Sequence, residues 1–160
     1  EMMLYFGGQY SFDDRLLPQF QNVLGGMYSV RGYPQSIAAG DSTILAKAEY
    51  RYHIPRAFAV NPEPIEFLGG PFRYAPQHVY GRPDWDLMLC AFFDYGMTMQ
   101  SDALPFENND TLMGAGVGLE FLFKQNMRFR LDWGFPLKDL PAAGVEVGDE
   151  RVYVSGTLIF

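Results

Sequence analysis

Residues 42–52 read Ser-Thr-Ile-Leu-Ala-Lys-Ala-Glu-Tyr-Arg-Tyr, and the order of their polarities decides the fold class. Ile44, Ala46, Ala48, Tyr50 and Tyr52 share one face of an extended chain, while Leu45, Lys47, Glu49 and Arg51 share the other, because side chains alternate with a period of two. The first face suits lipid or a dry core. The second carries three charges in one short strand, which fits the water-filled interior of a barrel better than the apolar inner face of a soluble sandwich. Just upstream, Val30-Arg31-Gly32-Tyr33 places a charge and a glycine turn in a loop that leads into this strand.

Working outward, the same alternation recurs. In 85–95, Leu87, Leu89, Ala91, Phe93 and Tyr95 oppose Asp94. In 112–123, Met113, Ala115, Val117, Leu119, Phe121 and Phe123 oppose Gly114, Gly116, Gly118 and Glu120, a face almost stripped of side chains that leaves room for something to pack on it. Residues 127–135 set Met127, Phe129, Leu131, Trp133 and Phe135 against Arg128, Arg130, Asp132 and Gly134, and 151–160 form a last strand ending on Phe160. With 2–12 and 20–27, seven strands are expected. Lys124-Gln125-Asn126 reads as a tight hairpin turn. Loops are expected at 28–41, broken by Gly32, Pro34 and Gly40, and at 54–84, where Pro55, Pro62, Pro64, Pro71, Pro76 and Pro83 disfavour a central strand.

Composition agrees with a strand-rich chain of one domain. Of 160 residues, 19% are charged, below the roughly 25% of soluble domains, while 16% are aromatic and 17 are glycine. No apolar run approaches the ~18 residues of a transmembrane helix, a test that strands of alternating polarity escape. A net charge of −7 without a basic cluster argues against a nucleic-acid partner. Cys90 is single, and His53 and His78 stand at no metal-ligand spacing from it, so no metal, cofactor or catalytic residue is expected. Asp84 and Asp86 read as a turn and strand edge rather than a catalytic pair. Glu1 opens directly on a strand, with neither an initiator Met nor a leader, so this is expected to be a piece of a longer chain.

Several segments, in order, carry a family resemblance. Leu24-Gly25-Gly26, Val30-Arg31-Gly32-Tyr33 and Glu49-Tyr50-Arg51 together resemble the sixth-loop region of the two-partner secretion transporters, the TpsB or haemolysin secretion/activation family of the outer-membrane assembly barrel superfamily. Phe92-Phe93-Asp94-Tyr95-Gly96 is similar to that family's strand 13, Gly114-Ala115-Gly116-Val117-Gly118 to its strand 14, and Arg130-Leu131-Asp132-Trp133-Gly134-Phe135-Pro136-Leu137 to its strand 15 motif. The resemblance implies an antiparallel transmembrane β-barrel in the cell outer membrane, of which residues 1–160 are the last seven of sixteen strands. It implies a protein-translocation channel, not an enzyme, that exports an unfolded partner polypeptide. In such a barrel loop 28–41 re-enters the lumen, and Arg31 meets Asp94, with Asp132 as the second candidate. Gly114, Gly116 and Gly118 are the wall on which the loop would lie, and Phe160 resembles the terminal signal read by the barrel assembly machinery. The departure is 54–84, where the family has a short periplasmic turn. Two other readings stay open: an assembly factor of the same superfamily, which inserts other barrels, and a soluble lipocalin-like ligand-binding barrel, which the interior charges disfavour.

Overall fold

The alternating segments are strands, and the excursions between them decide how the strands meet. The computed structural model describes residues 1–105, 107–124 and 126–160. In chain order its strands are β1 (Met2–Gln9), β2 (Asn22–Leu24), β3 (Ala38–Gly40), β4 (Ser42–His53), β5 (Ile65–Phe67), β6 (Gly70–Phe72), β7 (Trp85–Met99), β8 (Thr111–Phe123), β9 (Met127–Pro136) and β10 (Arg151–Leu158). Six form one antiparallel sheet in the order β1-β4-β7-β8-β9-β10, an up-and-down meander in which each long strand pairs with the next. Two short ribbons, β2-β3 and β5-β6, occupy the excursions. No helix among the described residues is long and apolar enough to cross a membrane.

Segment 20–27 departs from its expected place. Only Asn22–Leu24 is extended there, and it pairs with Ala38–Gly40 rather than joining the large sheet. The physical cause is the Gly25-Gly26 pair, whose φ angles of 107° and 95° turn the chain back before a longer strand forms. The sheet therefore has six strands among the described residues, not seven, and it does not close. A barrel with a side-chain-filled interior takes about eight. The first strand also stops early, at Gln9, because Phe12 and Asp13 adopt positive φ. The hairpin expected at 124–126 joins β8 to β9, but its middle residue Gln125 lies outside the described residues.

Register converts alternation into two faces. Glu49, Phe92, Gly116, Gly134 and Arg151 form one row across the sheet, and Arg51, Cys90, Gly118, Asp132 and Tyr153 form the next. On the opposite face, Tyr50, Ala91, Val117, Trp133 and Val152 are aligned, as are Tyr52, Leu89, Leu119, Leu131 and Val154. The sheet curls toward the first face: Met3 and Tyr5 of one edge strand and Ser155 and Thr157 of the other line a single cavity of about 550 Å³. Burial is inverted relative to a soluble protein. Glu49, Asp94, Glu120 and Asp132 are buried on the concave face, whereas Tyr50, Tyr52, Leu89, Val117, Trp133, Val152 and Val154 are exposed on the convex one. The apolar core lies between loop and sheet, where Leu24, Val30, Tyr33 and Ala38 pack on Leu112, Leu140 and Val145.

Candidate functional site

Loop 25–41 folds back over the concave face, and its own backbone makes it compact. Gly26 N–H donates to the Val30 carbonyl (3.1 Å), Gly25 N–H to the Ser29 hydroxyl (2.7 Å), and Ser36 N–H to the Gly25 carbonyl (3.3 Å). This clasp presents Val30-Arg31-Gly32-Tyr33 at the tip.

Arg31 is 1% exposed. Its Nε and Nη2 donate to the two oxygens of Asp94 on β7 at 2.6 and 2.8 Å, a bidentate pair, and its backbone N–H also reaches Asp94 Oδ2 (3.2 Å). Nη1 donates to Glu49 Oε2 on β4 (2.8 Å) and to Asp132 Oδ2 on β9 (3.2 Å). The guanidinium carbon sits 3.5 Å from the centroid of the Phe92 ring. A planar cation with its donors in a fixed fork suits such a cage, and burying it is favourable only because so many of its donors find acceptors.

The cage belongs to a larger network. Arg130 links Glu49 (2.7 Å), Asp132 (2.9 Å) and Glu120 (3.3 Å), Arg51 pairs with Glu49 (2.7 Å), and Arg128 with Glu120 (2.7 Å). Four carboxylates thus face four arginines, and Arg31 alone of these arginines comes from outside the sheet. Without it Asp94 loses its ion pair, while Glu49, Glu120 and Asp132 keep theirs with arginines of the sheet.

The rest of the tip is held through backbone. Gly32 has φ of 99°, and an added Cβ would lie 2.6 Å from the Phe135 carbonyl carbon, so glycine is required by both conformation and space. Its N–H donates to the Tyr153 hydroxyl (3.0 Å), which in turn donates to the Tyr33 carbonyl (2.6 Å). The Tyr33 hydroxyl donates to the Lys138 carbonyl (2.6 Å) and accepts from Met113 N–H (3.2 Å).

The structure brings Arg31 together with both Asp94 and Asp132. Of the glycine wall, only Gly114 receives the loop, since a Cβ there would strike the Arg31 carbonyl oxygen. Gly116 instead makes room for the Phe92 ring, and Gly118 for the Asp132 carboxylate, the groups that touch Arg31. Gly134, on β9, is the second glycine under the loop: a Cβ there would stand 2.9 Å from Gly32 N. Phe160 lies apart from this site, exposed beyond the end of β10.

Sequence reading placed Gly134 and Phe92 in its quoted segments without giving them a part in the site, did not name Tyr153 or Asp41, and took Glu49 as a motif residue and one of several interior charges. Gly134 and Tyr153 both fall on the concave-face positions of their strands, a signal that alternation alone contains. Asp41 gathers the outer loops: its carboxylate accepts from Leu16 N–H (3.0 Å), the Gln21 amide (3.0 Å) and Ser101 N–H (2.8 Å). Burial pushes this carboxyl up, but the Gln21, Ser101 and Leu16 donors outweigh it and hold Asp41 below its ordinary range.

Compared with known protein families and with curated proteins, the chain matches none.

Proposed function

We propose that residues 1–160 are the C-terminal part of an outer-membrane β-barrel that exports an unfolded partner polypeptide, in the manner of two-partner secretion transporters. The observation that carries this reading is the inverted burial of the sheet: paired charges inside, unpartnered apolar side chains outside. Exposed apolar surface on this scale is a liability in water and ordinary in lipid. A lipocalin-like ligand site is disfavoured by the same fact, because its cavity would be apolar.

Loop 28–41 is the conformational element of the channel. Docked, it fills the trough and pairs with the carboxylates of the wall; released, it would leave Glu49, Asp94 and Asp132 facing an aqueous passage, with Arg130 still shared by Glu49 and Asp132 and Asp94 stripped of its ion pair. The outer face meets outer-membrane lipid.

The test compares membranes and culture supernatants of a wild-type strain and one lacking the protein. The expected result is that the protein fractionates with outer membrane and that one large extracellular polypeptide disappears on deletion. Broad loss of other outer-membrane barrels would instead assign an assembly factor of the same superfamily. A full chain that stays soluble without detergent would end both readings.

A further inference from the structure

Segment 54–84 contains an element that the export reading leaves unused. Its strands β5 and β6 form a hairpin in which Phe67 pairs with Gly70, so Leu68 and Gly69 make the two-residue tip. Both have positive φ, 52° at Leu68 and 75° at Gly69. Asn or Asp normally stands first in such a turn, because a side chain like leucine is strained there. Leu68 is also 86% exposed. A large aliphatic group held in an unfavourable backbone at an exposed tip is selected by neither packing nor turn chemistry, and an outlier of this kind points to function.

The base of the hairpin shows what the tip faces. Phe72 stacks on Phe123 of β8 with centroids 5.6 Å apart, and Phe67 meets the same ring at 6.4 Å. Phe123 is aligned with Trp85 and Met127 on the convex, apolar face of the sheet. Trp85 in turn meets Phe58 and Phe121, and its indole N–H donates to the Tyr74 carbonyl (2.9 Å). Strand and insertion thus share one aromatic band at this end of the convex face, the composition that marks a membrane boundary on a barrel. The hairpin extends the band with exposed Ile65, Phe67 and Leu68.

We propose that the β5–β6 hairpin is a membrane-interface anchor, with Leu68 and Ile65 inserted into the phospholipid leaflet beside this end of the sheet. The proposal rests on the reading of the convex face as lipid-facing. Seated on Phe123, the hairpin adds apolar contact at the boundary without adding a strand, and the tilt of the sheet end is held by lipid as well as by pairing.

The test places one environment-sensitive fluorophore per protein, in the full chain with Cys90→Ala, at Leu68→Cys or at Val117→Cys in the middle of the convex face. Both positions are exposed, so labelling disturbs no packing. The proteins are reconstituted in phosphatidylethanolamine and phosphatidylglycerol vesicles that carry nitroxide lipids. The expected result is a blue-shifted emission at both positions, with position 68 losing most of its emission to shallow nitroxides and position 117 to deep ones. Position 117 quenched by lipid while position 68 answers only to aqueous iodide would overturn the anchor and leave the barrel reading standing. Neither position quenched by lipid would overturn both.

Discussion

At the scale of single residues, the loop tip is held by one cation, Arg31, and two phenols, Tyr33 and Tyr153. Arg31→Met would leave Asp94, Glu49 and Asp132 buried around an empty cage, and removing one partner of a buried ion network costs about 3–5 kcal/mol. The expected outcome is a loss of that size in denaturant unfolding of the full chain in bilayers. Much of it should be recovered when Asp94→Asn is added, because the two residues share their bonds. Arg31→Lys should rescue poorly, since a point charge cannot serve three carboxylates in one plane. Tyr153→Phe removes a hydroxyl that both accepts from Gly32 and donates to Tyr33. It is expected to cost about 1–3 kcal/mol by stranding those backbone groups. The loop should then be cleaved faster by protease while the charge network stays intact.

At the scale of elements, the outer loops are tied together at Asp41, which takes two donors from the β1–β2 connection and one from the turn after β7. Its carboxyl lies below the ordinary aspartate range in the folded state. The stabilisation is therefore complete above the unfolded value of about 4 and is lost as pH falls through the lower, folded one. Hydrogen exchange at the Leu16 and Ser101 amides should be flat from neutral pH down to about 4, after correction for the intrinsic rate, and should accelerate only below it. Asp41→Asn should abolish that acid limb. The same element scale explains segment 20–27, whose apolar run is strand-like but whose Gly25-Gly26 corner serves the loop clasp instead.

At the scale of the whole molecule, β1 and β10 each have one side without a partner among the described residues. An open edge in hydrocarbon leaves backbone groups unsatisfied, so six strands do not make a membrane structure by themselves. Residues 1–160 expressed alone in detergent are expected to give no compact, heat-resistant monomer on a semi-native gel, and such a monomer would show that the curled sheet suffices. What the sequence determined by itself is the alternation: five of the six long strands, their two faces, the buried charges and the glycine-lined wall follow from a period of two, which is local and needs no knowledge of neighbours, while β1 was legible only from its run of aromatic and apolar residues. A cation at a glycine turn and a carboxylate on a strand also marked Arg31 and Asp94 as candidates to meet. Tertiary structure decided the rest. Register, set by pairing between strands far apart in the chain, brought Glu49 and Asp132 to the same guanidinium, put Gly134 on the diagonal from Gly114 under the loop, and aimed Tyr153 at the tip from 121 residues away. Cross-strand position is a property of the assembled sheet, and no single segment carries it.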